Sequence, residues 1–86
     1  MSKVIIDVRE PFEFGMGRVK GAINIPPAVM MRGLPKKLAD TPKDAEIILY
    51  CMSGARSAAS MRILEKYGFT NLTNGINKDH VAAKHL

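Results

Sequence analysis

The chain has 86 residues, a formal net charge of +5 and a hydrophobic share of 47%, which fits one globular domain, residues 1–86, whose core is small but needs no staples. Its single cysteine excludes an internal disulfide framework, and two histidines far from it leave no metal-ligand spacing. No apolar run approaches the length of a membrane span.

Met1 to Lys3 leads directly into an apolar run with no signal-peptide pattern, so a cytoplasmic protein is expected, with the periplasm as the alternative if a leader has been removed. The basic residues are scattered, and Lys36-Lys37 is the only adjacent pair. That distribution reads as a solvated basic surface rather than a nucleic-acid interface. A monomer with no metal or cofactor is expected.

Val4-Ile5-Ile6-Asp7-Val8 is apolar enough for a strand inside a sheet. Asp7 near its end has two readings, a supporting acceptor at the carboxyl edge of the sheet or a cap that ties down Arg9 and the following turn. Arg9-Glu10-Pro11-Phe12-Glu13-Phe14 opens a short helix, with Pro11 at the first helical position, Glu10 and Glu13 at its positive end, and Phe12 or Phe14 expected to pack on the sheet. Gly15, Gly17 and Gly21 mark a flexible connection to Ala22-Ile23-Asn24-Ile25, a more peripheral strand closed by Pro26-Pro27. Val29-Met30-Met31 and Leu34-Pro35-Lys36-Lys37-Leu38 read as one or two short helices, and Thr41-Pro42-Lys43-Asp44 as a turn.

Ile47-Ile48-Leu49-Tyr50 follows, rich in strand formers and without alternation, which indicates a strand buried on both faces as in a parallel sheet covered by helices. Cys51 stands where it stops. After a short loop containing Gly54, the segment from Ala58 to Tyr67 places Ala59, Ile63 and Tyr67 on one helical stripe flanked by Ser60 and Leu64, with Gly68 at the C′ position. Phe69 and Leu72 then anchor a last strand ending at Asn74-Gly75. Asn77 caps a final helix from Lys78 to about Lys84, with Val81 facing inward.

Strand, tight loop and helix in that order aim unpaired backbone N–H groups and the positive end of a helix dipole at whatever sits in the loop. Here that group is a thiol. An unperturbed cysteine with a pKa of about 8.5 is only about 3% thiolate at pH 7, and the thiolate is the nucleophile. A helix N-terminus contributes roughly 0.3–1 kcal/mol, less than one pKa unit at about 1.36 kcal/mol. Loop amides and the guanidinium of Arg56 are the further contributions available, and both suit an anionic substrate. The competing reading is a small hydrophobe buried at a strand end.

Four segments, Ile6-Asp7-Val8-Arg9-Glu10-Pro11, Gly21-Ala22-Ile23-Asn24-Ile25-Pro26, Tyr50-Cys51-Met52-Ser53-Gly54-Ala55-Arg56-Ser57 and Tyr67-Gly68-Phe69-Thr70-Asn71-Leu72, resemble the rhodanese family in the family's own order. The similarity covers nearly the whole chain, and its compactness is most similar to the small single-domain phage-shock-protein-E type. The resemblance implies an α/β fold of three layers, a mostly parallel sheet flanked by helices. It also implies a thiosulfate sulfurtransferase that works through a persulfide of Cys51. In that role Met52, Ser53, Gly54, Ala55 and Arg56 would hold the substrate, Arg56 would take the leaving oxyanions, and Asp7 and Arg9 would support the loop. The donor would be a small anion such as thiosulfate, and the acceptor cyanide or a thiol, including that of a thioredoxin-like protein.

Two departures follow from the same resemblance. Family members carry histidine where this chain has Arg18, and often a basic residue where it has Met52, which implies weaker binding of thiosulfate. Four residues lie between Cys51 and Arg56, one fewer than in the phosphatases that share a related fold, which implies a cradle too narrow for a phosphoryl group. The alternatives are a carrier module that passes the persulfide to a protein partner without turnover of its own and, less favoured, a phosphatase or arsenate reductase.

Overall fold

A computed structural model describes residues 3–86. Its elements are β1 (Lys3–Asp7), α1 (Pro11–Gly15), β2 (Ile23–Asn24), α2 (Pro27–Met31), a 3-10 turn (Lys36–Leu38), β3 (Glu46–Cys51), α3 (Ala55–Lys66), β4 (Leu72–Asn77) and α4 (Lys78–Lys84). The strands lie in the order β2-β1-β3-β4, and every pairing is parallel. The two unbroken apolar runs, β1 and β3, occupy the centre, where both faces are covered.

Strand alternation sorts these residues into two cores. Ile6 and Val8 of the first run, with Ile47, Leu49 and Cys51 of the second, face α2, α3 and Phe69. Ile5, Ile48 and Tyr50 point the other way, toward Val19 and the inward Val81 of α4. The thiol thus shares the α3 face with Leu49 and Leu64. Each core is one helix layer against the sheet, giving the expected helix, sheet, helix arrangement.

α3 closes as its sequence requires. Gly68 takes a left-handed backbone, φ +97°, its N–H donates to the Glu65 carbonyl, and the Phe69 N–H reaches back to the Leu64 carbonyl at 3.2 Å. Phe69 and Leu64 are both buried, the apolar contact that accompanies this motif. At the other end of the chain Asn77 Oδ1 accepts the His80 N–H at 2.8 Å, capping α4.

Three expectations are corrected. The buried stripe of α3 runs through Ser57, Ser60 and Leu64, while Ala59 is exposed; two serines face inward because their hydroxyls bond the preceding turn and Asn74. Phe12 is 69% exposed, and Phe14 lies under the Arg18 guanidinium, 4.4 Å from its ring centre, so neither belongs to the sheet cores. β4 continues past Asn74-Gly75 to Asn77 through an irregularity that sets Leu49 opposite Asn74 and Tyr50 opposite Ile76.

Gly75 is the skipped residue, and it is buried. A Cβ there would lie 2.5 Å from Cγ2 of Val81 and 2.9 Å from Cγ2 of Ile48, so α4 sits on the sheet only because this position has no side chain. Ile76 beyond it adopts φ +71°, uncommon for a β-branched residue, and its N–H is held by Asn74 Oδ1 at 2.9 Å. This turn places Asn74 beside the Cys51 loop.

Candidate active site

Cys51 is the last residue of β3, and α3 begins four residues later, so the loop between them closes over the sulfur. Gly54 is its pivot: with φ +94° it turns its N–H onto Sγ at 3.1 Å. A residue with a side chain resists that conformation, and a Cβ would meet Asn74 Nδ2 at 3.4 Å.

Ser57, in the first turn of α3, sets its hydroxyl 3.6 Å from Sγ. The same oxygen lies 2.6 Å from Asn74 Oδ1 and 3.1 Å from the Gly54 carbonyl. Asn74 is fixed by two more bonds: Oδ1 takes the Ile76 N–H, and Nδ2 donates to the Gly54 carbonyl at 3.0 Å. One hydroxyl carries one hydrogen, so Ser57 donates to Asn74 while the thiol is protonated and can turn to the sulfur once it is not.

Burial, with Cys51 only 2% exposed, pushes its thiol up. Hydrogen bonds from the Ser57 hydroxyl and from the backbone N–H groups of Ser57, Ser53 and Gly54 outweigh it and bring the thiol down to about 7. About half of the protein is then thiolate at pH 7, an order of magnitude above an unperturbed cysteine. A cysteine that was merely core filler would move the other way.

Arg56 is placed differently from the sequence reading. Its Nη1 and Nη2 lie 2.8 and 3.2 Å from the two carboxylate oxygens of Glu13, and Glu13 dominates the rise in its pKa, ahead of Cys51. Amides and a hydroxyl, rather than the guanidinium, are the principal partners of the sulfur. Glu13 is held well down, to about 2, chiefly by Arg56 and also by the Glu10 N–H at 2.9 Å.

Asp7 is fully buried and resolves to the tying role. Its Oδ1 accepts the Arg9 N–H and Nε, both at 2.9 Å, and its Oδ2 accepts Nη2 at 2.6 Å. Arg9 in turn grips the Gly17 carbonyl at 2.6 Å and stands over the Tyr50 ring, fixing the glycine-rich connection against the sheet edge. A cavity of about 310 Å³ opens beside the loop, lined by Arg9, Glu13, Met16, Gly17, Met52 and Lys78. Met52, Ser53 and Ala55 are exposed around the loop, while Gly54 is buried beneath it.

Four residues of this site carry no signal of their own in the sequence. Glu13 reads as a helix-start carboxylate, Ser57 as the last residue of the Cys51 segment with no role of its own, Asn74 as a strand end and Lys78 as the first residue of a helix. Only the fixed spacing of Ser57 from Cys51, one helical turn into α3, could have pointed to it.

Comparison with known proteins gives the same assignment. The rhodanese-like domain family matches residues 1–80. A sulfurtransferase of Allochromatium vinosum is 31% identical over 71 residues, which are 83% of this chain and 63% of that protein. A mitochondrial thiosulfate sulfurtransferase of Saccharomyces cerevisiae is 35% identical over 78 residues, covering 80% of this chain and 52% of the yeast protein. The chain thus spans between half and two thirds of the length of these two curated relatives. Among solved structures, a rhodanese with anions from E. coli superposes with a TM-score of 0.79 at 29% identity, covering 94% of this chain and 93% of that one. With sequence and fold in agreement over nearly its whole length, the chain belongs to the rhodanese-like domain family.

Proposed function

We propose that this chain is a sulfurtransferase of the compact single-domain type, moving a sulfane sulfur through a persulfide of Cys51. The observation that supports it most is the lowered thiol held by Gly54 and Ser57. A thiolate in this setting needs no general base. It attacks the outer sulfur of the donor, the donor's S–S bond breaks, and its electron pair leaves with sulfite when the donor is thiosulfate or with a thiolate when the donor is a persulfide. The loop amides that stabilise one sulfur anion then face the terminal sulfur of the Cys51 persulfide. Cyanide or a thiolate takes that sulfur, and Cys51 returns as thiolate.

The acceptor in the cell is a thiol, presented by a small molecule or by a thioredoxin-like protein. Met16 and Met52, at 84% and 62% exposure beside the cavity, favour an acceptor with an apolar face. The test is turnover: with a sulfane donor and cyanide, the wild type should release thiocyanate and Cys51→Ser should release none. Equal release by both proteins, or none by the wild type with any sulfane donor, would overturn the reading.

A further inference from the structure

Glu13 is pinned. Its carboxylate holds both terminal nitrogens of Arg56, and Oε1 also takes the Glu10 N–H. Its side chain is 18% exposed, half the exposure of Arg56. A two-point carboxylate fills the same donor fork that a sulfonate group would use. A dianion such as thiosulfate must therefore displace Glu13 or settle against its negative charge, and departing sulfite carries two charges past the same carboxylate. Arg9, the guanidinium that lines the cavity beside the loop, is spent on Asp7 and Gly17. Among the described residues Lys78 is the cation of this cavity that makes no ion pair. The apolar part of the lining is made by the exposed side chains of Met16 and Met52.

On the sulfurtransferase reading given above, we propose that Glu13 is a specificity-determining residue: it withholds Arg56 from oxyanion donors, and the donor suited to this site is an organic persulfide whose carbon-bearing group lies against Met16 and Met52. In that step the Cys51 thiolate bonds to the outer sulfur of R–S–SH, the S–S bond of the donor breaks, and R–S⁻ departs with the electron pair. The proton stays on the transferred sulfur, so Cys51–S–SH and R–S⁻ balance the reactants with no oxidant or reductant. A departing thiolate carries one charge and needs no guanidinium fork.

The experiment compares two donors, thiosulfate and the persulfide of N-acetylcysteine amide, whose carbon-bearing group is uncharged, by the rate at which Cys51 gains one sulfur in intact mass. In the wild type kcat/KM, or the corresponding second-order constant, should favour the persulfide by about tenfold or more. In Glu13→Gln, which keeps an acceptor for the Glu10 N–H, that preference should fall about tenfold, with the change carried by KM for thiosulfate. Glu13→Asp, charged but too short to hold both nitrogens, should fall between. A wild type that takes thiosulfate as readily as the persulfide overturns the proposal, as does a preference that stays within about twofold in both variants. Failure of the wild type to gain sulfur from either donor overturns it together with the sulfurtransferase reading, whereas sulfur gain without the preference overturns the role of Glu13 alone.

Discussion

The hydroxyl of Ser57 lies 3.6 Å from Sγ of Cys51, on a helix turn that begins four residues after the sulfur and points back at it. The hydrogen bond is long for a neutral pair and shortens when sulfur carries charge, because the hydroxyl then gains more from the sulfur than from Asn74. Ser57→Ala removes that donor and leaves Asn74 Oδ1 still satisfied by the Ile76 N–H. The thiol should rise by about one to two pKa units, since a hydrogen bond to a charged group contributes about 1.5–3 kcal/mol. Alkylation of Cys51 by iodoacetamide between pH 5 and 9 reads this directly (the range is about that of the titration). An unmoved profile would mean that the amides act alone.

The same thiol links pH to stability. Its folded value, about 7, lies below that of an unperturbed cysteine, about 8.5, so the stabilisation is fully present above the unfolded value and is lost as pH falls through the folded one. Wild type should gain about 1.5–2 kcal/mol over Cys51→Ser as pH rises from about 7 to about 9, the part of the shift that titrates in that window. Urea unfolding of both proteins at those pH values measures the difference, and a constant gap would contradict the lowered thiol.

Gly75 should not tolerate a methyl group. An alanine Cβ would stand 2.5 Å from Cγ2 of Val81 and 3.2 Å from the Leu49 carbonyl, and valine in a helix cannot swing aside. Gly75→Ala should destabilise by about 1–3 kcal/mol. The loss should shrink when Val81→Ala is added, and an unchanged loss in that background would place the clash elsewhere.

Arg9 and Asp7 form a buried pair, so cutting one partner strands the other. Arg9→Met should cost about 3–5 kcal/mol in urea unfolding, and the double change Asp7→Leu with Arg9→Met should cost less than the single one. A single variant within about 1 kcal/mol of wild type would show that the pair adds little.

The parallel sheet was legible because β1 and β3 are apolar without alternation, and the loop because a strand, Gly54 and a helix follow one another within a few residues of Cys51. The cap of α4 at Asn77 and the end of α3 at Gly68 are local chemistry, complete within six residues. Contacts between distant residues were not legible. Glu13 and Arg56 are 43 residues apart, and nothing in either segment marks the other as its partner. Asn74 reached the site through a skipped residue in β4, which shifts the register by one and which no pattern of apolar residues announces. The expected stripe of α3 held for Ile63 and Tyr67, which pack against the core, and failed at Ala59, because the fully buried positions of the first turns are serines whose hydroxyls bond Asn74 and the preceding turn.

One measurement bears on the centre of the account: intact mass after brief exposure to a stoichiometric sulfane donor at pH 7, with Cys51→Ser alongside. The predicted result is a gain of one sulfur, about 32 Da, in the wild type only, reversed by cyanide or a thiol. A wild type that stays at its original mass with thiosulfate and with an alkyl persulfide would contradict it.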